Sequence, residues 1–470
     1  NLVKNYARIY ANRQFIEHSV WSEGRNEPRI AFNFPSFEEF IKKFSWGENG
    51  FIKDEIESIE KESYSGFVYD ITVNHKGHNF IADNFVVSNC GVRLLRSPAK
   101  WTEIKPRLEE LADELFKTVP SGLGEGGALK LSKADLDKVL KNGAKEILER
   151  GFGEQEDLEH LEAGGRLEQA APDLVSDLAK KRGNDQVGTL GSGNHFLEVQ
   201  RVDEIFDEQA AEAFGLFKDQ LVVSIHTGSR GLGHQIATDY IRLMMKVMPR
   251  YGIVLPDREL ACVPFKSKEG QDYFKAMCSG ANFAFANRQM LAHLARLAFK
   301  NIFGNDFELK VVYDLAHNIA KIEEYEINGV KKKVVMHRKG ATRAFGPGNS
   351  ELPENYRKTG QPVLIPGSMG TASYVLAGTK ESADLSFSTS CHGAGRRMSR
   401  HGALKIWRGS ELQKEIFEKQ GIIVKTASMR GIAEEAPLAY KDVEEVVNVV
   451  HNAGIAKKVA RLKPLAVIKG

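Results

Sequence analysis

Apolar residues recur along this chain with two periods, and the alternation between them predicts its secondary structure. Helical spacing covers residues 101–117, 133–149, 281–299 and 412–419. Short aliphatic and β-branched runs predict strands at 221–225, 309–313, 334–336 and 363–365. Each strand leads into a loop that carries Gly or His. We therefore predict a large domain that mixes helices and strands, with its chemistry at strand ends.

The first 89 residues follow a different pattern. Residues 1–60 are polar and rich in aromatic side chains, and the run 36–44 has helical spacing. Residues 67–73 predict a strand, and the short apolar runs 79–81 and 85–87 predict a hairpin. This first segment is therefore predicted to be mostly β towards its end.

Composition narrows the class of protein. The chain has 470 residues, 42% hydrophobic and 27% charged, which is typical of a globular protein. Its four widely spaced cysteines exclude a disulfide scaffold and a zinc finger. No apolar run approaches the ~18 residues of a membrane helix, and residues 1–30 hold no signal-peptide core. We expect a cytoplasmic protein without a membrane partner, and a first residue other than Met suggests a piece of a longer product.

Charge is spread unevenly along the chain. The net charge is +3, with −3 on residues 1–89 and +6 on residues 90–470. The sequence pI of 8.4 permits a polyanionic partner but does not require one.

The end of the first segment carries a motif for peptide-bond chemistry. Residues 68–73, 78–80 and 86–90 resemble the C-terminal splice block of inteins, and the resemblance covers about residues 53–90. The Asn89 amide can attack its own carbonyl carbon and cut the bond to Cys90, whose thiolate can accept an acyl group. His78 could polarise the scissile carbonyl. Inteins usually carry His where this chain has Ser88, and the upstream splice junction is absent.

The larger segment contains five loops of one form, each with a polar side chain in a Gly-rich or strand-end setting. They span residues 90–93, 191–198, 226–231, 314–318 and 391–396. A thiolate and imidazoles suit a borderline divalent ion, so Cys90, His195, His226 and His317 form a candidate metal site. The nearby glycines would let backbone approach a phosphate closely. The chemistry of these residues alone indicates a possible transition-metal and phosphate site and no particular reaction.

The five loops, in this order, resemble the RtcB family of GTP-dependent RNA ligases over residues 90–470. The resemblance implies two Mn²⁺ ions bridged by Cys90, with His226 and His317 on one ion and His195 on the other. It also implies an Asp ligand three residues before the cysteine, where this chain has Val87. That Asp would lie on a missing upstream piece and return only after splicing.

The resemblance also implies a guanylylated histidine at His392, with Arg396 contacting phosphate. The residues expected around the guanylate are Asn194, His195, Phe196, Leu197, Glu198, His317, Asn318, Pro366, Gly367, Ser368, Met369, Ser373, His392, Gly393, Ala394, Gly395, Tyr440 and Lys469. The implied reaction transfers GMP from GTP to His392 and then to an RNA 3′-phosphate, which can first be opened from a 2′,3′-cyclic phosphate. The 5′-hydroxyl of a second RNA then expels GMP.

The resemblance also predicts the binding partners and the fold of this chain. The family suggests tRNA halves as RNA substrates and an activating protein, and Arg230, Arg338, Lys339 and Arg343 are candidates for RNA phosphate contacts. We expect an α+β fold: a small, mostly β, Hint-type intein segment at 1–89 and an RtcB-like α/β domain at 90–470 that lacks its N-terminal part. Two alternatives stay open, a dinuclear metal phosphohydrolase and a self-cleaving intein fragment without ligase activity.

Overall fold

The computed structural model describes residues 89–470 except 123, 125, 256–259 and 328, together with four short strands before residue 54. The chain divides into two compact units. One comprises Asn1–Phe85 with Ile253–Ala261, and the other comprises Val86–Gly252 with Cys262–Gly470.

In the first unit, the described elements are two antiparallel strand pairs. They are β1 (His18–Val20) with β2 (Ile30–Phe32), and β3 (Ser45–Trp46) with β4 (Ile52–Lys53). The predicted helix at 36–44, the strand at 67–73 and the hairpin at 79–87 lie outside the described residues.

The second unit is built on an eight-stranded sheet. Its strands are β5 (Cys90–Lys100), β6 (Phe196–Ile205), β7 (Gln220–Gly228), β8 (Lys310–Ala316), β12 (Pro362–Ile365), β13 (Ser373–Gly378), β15 (Ile423–Thr426) and β16 (Ala456–Lys469). The order is β12-β13-β16-β6-β7-β5-β8, and β15 also pairs with β16. Every pairing is antiparallel except β15 with β16. The described architecture is a mixture of helix and sheet, compatible with the α+β class expected from the sequence.

Two smaller antiparallel pairs accompany this sheet. They are β9 (Asn318–Ile327) with β10 (Val330–Lys339), and β11 (Ala341–Arg343) with β14 (Thr389–Cys391). β9 begins two residues after β8 ends, and β14 leads directly into His392.

Helices surround the sheet. They are α1 (Trp101–Ile104), α2 (Leu108–Thr118), α3 (Lys133–Asn142), α4 (Ala144–Glu149), α5 (Asp177–Gly183), α6 (Glu208–Phe214), α7 (Arg230–Val247), α8 (Lys268–Phe303), α9 (Ser382–Ser386), α10 (Arg400–Ile406), α11 (Gly409–Gln420), α12 (Met429–Glu434) and α13 (Val443–Asn452). Short 3-10 turns occupy Lys105–Arg107, Gln155–His160, Glu162–Gly165, Pro172–Leu174, Met248–Tyr251, Glu354–Tyr356 and Pro437–Ala439. In the part of the chain that the structure describes, no helix is both long and apolar enough to cross a membrane.

The four predicted helices are present, but two of them are interrupted. The helix expected at 101–117 is broken by a 3-10 turn at Pro106, which has no amide hydrogen to donate. The helix expected at 133–149 breaks at Gly143, whose φ is +62° and where a Cβ would lie 2.2 Å from the Gly165 carbonyl oxygen. Only glycine fits that close approach with a left-handed φ.

Helix α8 covers the sheet on one face. It runs 36 residues, well beyond the predicted 281–299, and packs against β7 and β5. All nine residues of β7 are buried, which explains why its sequence is continuously apolar at 221–223 rather than alternating. Buried polar side chains on α8 face the sheet, among them Asn287, Arg288 and Gln289.

Candidate active site

Cys90 begins β5, His226 lies on β7 and His317 follows the last residue of β8, and these three strands are neighbours in the sheet. β5 lies between β7 and β8 and runs antiparallel to both, so its first residue lies beside the final residues of its neighbours. Cys90 pairs with Gly228, and the His317 amide donates to the Cys90 carbonyl at 3.0 Å. Three side chains that are far apart in sequence therefore meet at one edge of the sheet.

The donor atoms of these three residues lie close enough to share one ion. The Cys90 Sγ and one ring nitrogen from each of His226 and His317 are all within 4.8 Å of one another. The two Nε2 atoms are 3.3 Å apart. Two nitrogens bound at ~2.1 Å to one tetrahedral ion would be separated by about 3.4 Å, so the geometry fits a shared cation. One thiol and two imidazoles are also a donor set suited to a borderline divalent ion.

His195 lies beside this group and completes what we call the Cys–His cluster (Cys90, His195, His226 and His317). Its Nε2 is 3.3 Å from the Cys90 Sγ, and its Nδ1 contacts the Arg230 guanidinium. Because a guanidinium only donates hydrogen bonds, Nδ1 is the acceptor and Nε2 carries the proton that faces the thiol. In this arrangement His195 donates to Cys90, and its role as a ligand stays a prediction.

Burial sets the protonation of the cluster. Burial raises the pKa of the Cys90 thiol to about 11, although the nearby Arg288 charge opposes the rise. Burial also holds the pKa values of His226 and His317 well below the usual range, and neighbouring imidazoles add to the effect. The histidines are therefore neutral and able to ligate. The thiol would release its proton when a cation binds, since coordination deprotonates a thiol outright.

His392 joins the cluster through ring contacts. Its imidazole stacks on His317 with centroids 4.0 Å apart and planes 17° from parallel, and its centroid is 6.2 Å from that of His226. Its buried Nδ1 has no hydrogen-bond partner among the described residues. Burial lowers the pKa of His392 to about 4, so the ring is neutral at pH 7.

A cleft opens beside His392. The side chains and backbone that line it are Asn194, Phe196, Glu198, His226, Pro366, Gly367, Ser368, Met369, Thr371, His392, Gly393, Ala394, Gly395, Arg396, Arg400, Glu435, Tyr440, Lys441, Val443, Val467 and Lys469. Most of these residues were predicted site residues. The cleft and the Cys–His cluster share His226 and meet at His392.

The loop after β12 forms one wall of the cleft. The Gly367 amide donates to the Ser373 Oγ at 3.0 Å, and the Ser368 amide donates to the Thr371 Oγ1 at 2.8 Å. A Cβ on Gly367 would lie 2.2 Å from the Ala372 carbonyl oxygen, so the tight turn requires glycine here.

Glu198 and Lys469 place two titratable groups on the cleft floor. They extend from β6 and β16, which are paired so that Glu198 lies opposite Val467 and Lys469 opposite Phe196. Burial raises the pKa of Glu198 to about 8 and lowers that of Lys469 to about 8. A polar ligand that supplied hydrogen bonds would offset the free-energy cost of burying both groups.

The family model described as tRNA-splicing ligase RtcB matches residues 63–470. This chain belongs to the RtcB family.

Relatives of two lengths match the chain. The tRNA-splicing ligase RtcB of Pyrococcus furiosus is 54% identical over 465 residues, which are 98% of this chain and 48% of the relative. The tRNA-splicing ligase RtcB of Methanocaldococcus jannaschii is 52% identical over 465 residues, again 98% of this chain and 48% of the relative. That of Thermococcus kodakarensis is 57% identical over 385 residues, 81% of this chain and 80% of the relative. The chain thus spans about half the length of the longer relatives.

Some residues assigned from the RtcB resemblance lie outside the cleft. Leu197 is fully buried between the cleft residues Phe196 and Glu198, as alternation along β6 dictates. The Ser373 hydroxyl supports the Gly367 loop, and the Asn318 Oδ1 accepts from the Gly340 amide at 3.0 Å. His78 and Val87 lie outside the described residues.

Asn89 is packed inside the second unit. Its carbonyl accepts from the Ser229 amide at 2.8 Å, and its Nδ2 donates to the Asn318 carbonyl at 3.2 Å and to the Met277 sulfur at 3.5 Å. Asn89 is 3% exposed. In this conformation its amide is engaged with neighbours rather than with its own carbonyl carbon.

Glu435 lines the cleft and was not predicted from the sequence. Glu435 is buried and accepts from Arg396 at 3.1 Å, from Arg400 at 2.8 Å and from the Tyr440 hydroxyl. It thereby fixes two cations and a phenol at the cleft wall. Spacing gave no signal for this residue, because Glu434–Glu435 looks like an ordinary acidic pair at a helix end. Thr371, Arg400, Lys441, Val443 and Val467 were also missed.

Two predicted RNA contacts are wrong. Arg338 and Arg343 are each 1% exposed and therefore cannot reach a phosphate from the surface. Arg338 forms a two-pronged ion pair with Glu323 at 2.6 and 2.8 Å, and Arg343 pairs with Glu351 at 2.6 Å. The strands here are longer than the sequence indicated, which moves Arg338 from a loop into β10. Arg230 is also mostly buried and contacts His195, whereas Lys339 is exposed.

Replacing Arg338 by methionine is expected to lower the free energy of unfolding by about 3–5 kcal/mol, because Glu323 would be left buried without its cation. Lys339→Met, one residue away and exposed, should change it by less than about 0.5 kcal/mol. Urea unfolding of both variants checks this. Weakened RNA binding with unchanged stability in Arg338→Met would restore the phosphate-contact interpretation.

Proposed function

We propose that this chain is the downstream part of a GTP- and Mn²⁺-dependent RNA ligase. It would join an RNA 3′-phosphate or 2′,3′-cyclic phosphate end to a 5′-hydroxyl end through a guanylylated histidine. The observation that carries the proposal is His392, a neutral, partly buried imidazole that lies between the Cys–His cluster and the cleft. Relatives named tRNA-splicing ligase make tRNA halves the expected RNA.

His392 is the nucleophile of the first step. An imidazole nitrogen attacks the α-phosphorus of GTP, a nitrogen–phosphorus bond forms, and pyrophosphate leaves as the bond to the β-phosphate breaks. The ring needs no base to become neutral, because its pKa is already about 4. The guanylate then passes to the RNA 3′-phosphate, and the 5′-hydroxyl of the second RNA displaces GMP.

Cleft residues hold the nucleotide for this step. Without a ligand Glu198 is mostly protonated at pH 7, since its pKa is about 8, and donation from the guanine N–H edge would favour its ionised, accepting form. Lys469 on the paired strand supplies a positive charge. Gly393 and Gly395 leave space at the phosphate. Arg396 supplies positive charge there, held in place by its hydrogen bonds to the Glu435 carboxylate and the Glu434 carbonyl. Holding the α-phosphorus against His392 converts a bimolecular encounter into a positioned one.

Cys90, His226 and His317 would hold Mn²⁺, with His195 and an Asp from the upstream piece as further expected ligands. A bound divalent ion would draw charge from the phosphate oxygens. The chain's own contribution is a dry, neutral donor set fixed by three strands.

Covalent labelling distinguishes this function from the phosphohydrolase alternative. The chain is incubated with Mn²⁺ and GTP carrying ³²P at the α-position. A ligase of this mechanism retains label on the protein, releases it in acid but not in base, and yields one pyrophosphate per label. Turnover of GTP or a phosphate ester without a protein adduct would favour the phosphohydrolase.

We further propose that residues 1–89 are the end of an intein, removed when the precursor matures. The lengths of the relatives support this. The matches to the longer relatives extend over 465 residues, and the match to the Thermococcus relative over 385. The difference of 80 residues is close to the length of the proposed intein segment. Splicing would remove that segment and join the upstream piece to Cys90 by a new peptide bond, which would place the expected Asp three residues before Cys90.

Asn89→Ala should stop scission before Cys90, because alanine has no amide to form the succinimide. Mass spectrometry of the purified chain should then find only the full-length species, whereas the parent also yields fragments 1–89 and 90–470. Asn84→Ala, a nearby amide outside the splice junction, should cleave as the parent does. Continued scission at Cys90 in Asn89→Ala would exclude cyclisation as the route.

A further inference from the structure

Behind the Cys–His cluster lies a buried arginine that no step of the proposed reaction uses. Arg288 is on α8, 1% exposed, on the side of the sheet that α8 covers. It donates to the Asp314 carboxylate from Nε at 3.0 and 2.9 Å and from Nη2 at 2.7 Å. Its Nη1 donates to the Thr227 carbonyl at 3.1 Å.

Each hydrogen bond of Arg288 goes to a residue close to a proposed ligand. Thr227 follows His226 on β7, and Asp314 on β8 precedes His317 by three residues. The third strand is touched through Gly91, which follows Cys90. A Cβ on Gly91 would lie 2.7 Å from the Arg288 Cζ, so the guanidinium lies directly against this backbone. One side chain thus contacts the three strands that carry or lead directly into the proposed metal ligands.

We propose that Arg288 is a positioning residue for the metal site, holding β5, β7 and β8 so that Cys90, His226 and His317 converge. The inference rests on the proposed function, since it concerns the same ligands. Arginine suits this task because its planar fork can bond a carboxylate and a carbonyl in fixed directions at once. Groups that orient metal ligands from behind typically affect metal affinity by ~10–100-fold.

The same helix supplies a matched control. Arg296 is also buried, and it forms a two-pronged pair with Asp157 at 2.6 and 2.8 Å. Its Nε donates to the Leu309 carbonyl, before β8 begins. Arg296 therefore resembles Arg288 in burial and pairing, but none of these described partners is adjacent to a proposed ligand.

The test is Co²⁺ binding to the full chain, followed by the sulfur-to-cobalt charge-transfer absorption and the visible d–d bands. Arg288→Lys keeps the charge and loses the fork. We expect its Co²⁺ affinity to fall about 10- to 100-fold, with altered d–d bands. Arg296→Lys should lower the melting temperature while its Co²⁺ affinity and spectrum stay as in the parent.

Several results would overturn the proposal. Parent-like affinity and spectrum in Arg288→Lys would do so, as would an equal loss in Arg296→Lys, which would mark the effect as general instability. If Arg288→Lys does not fold by circular dichroism, Arg288→Gln removes the guanidinium while Asp314 keeps its ion pair with Arg93 at 2.7 Å. An affinity loss is expected there as well, and none would contradict the inference. A parent chain without a Cys90-dependent charge-transfer band would instead remove the metal site of the proposed function itself.

Discussion

His392→Gln should abolish covalent guanylylation, lowering the initial rate of label incorporation by a factor on the order of 10⁴ or more. Glutamine retains a polar side chain of similar length, but its amide nitrogen is not nucleophilic. The structure places His392 where no other described imidazole replaces it readily, because His226 and His317 direct their Nε2 atoms towards each other. The readout is acid-labile ³²P on the protein after incubation with labelled GTP and Mn²⁺.

His401→Gln is the matched control for that experiment. His401 lies nine residues further along, on α10, and is exposed. Its variant should label at the parental rate. Label that persists in His392→Gln and disappears in another histidine variant would move the nucleophile elsewhere.

Cys90→Ala should lower the affinity for Mn²⁺ by at least about 100-fold, since loss of a ligand costs more than loss of a supporting residue. The thiol is the sole sulfur donor of the three-residue group. Its removal leaves two imidazoles, which is too few to hold the ion in a buried site against water. Isothermal titration with Mn²⁺ measures the change directly.

Cys278→Ala provides the comparison for the cysteine substitution. Cys278 is also a buried free thiol, on α8, and burial raises its pKa to about 12. Its variant should bind Mn²⁺ as the parent does. Equal loss of affinity in both variants would indicate that the metal binds elsewhere or that the fold has collapsed.

The elements of the second unit were largely predictable because their signals are local. Every predicted helix and strand after residue 90 coincides with an observed element. The errors are at boundaries, which helix caps and long-range packing decide. α8 extends to Lys268 because Ser267 caps it, accepting from the Gly270 amide at 3.1 Å. The break at Gly143 follows from the Gly165 backbone, which no local pattern reveals.

The candidate site was also predictable only where its signals are local. Cys90, His226 and His317 could be singled out by residue type and by the glycines around them. Their convergence could not, because it depends on β5 lying between β7 and β8, an order that periodicity does not encode. The prediction that Arg338 contacts RNA was wrong because its ion-pair partner Glu323 lies on the paired strand. The sequence does not show such a pair until the strand register is known.

The proposed reaction requires a cation at Cys90 adjacent to a guanylate on His392. The most direct measurement is X-ray diffraction from crystals of the chain soaked with Mn²⁺ and GTP, recorded near the manganese absorption edge. We expect an anomalous peak in contact with the Cys90 sulfur and the imidazoles of His226 and His317, and continuous density from the His392 ring to a phosphorus atom. Manganese bound at another place, with a bare His392 ring in a crystal that holds GTP, would contradict the account.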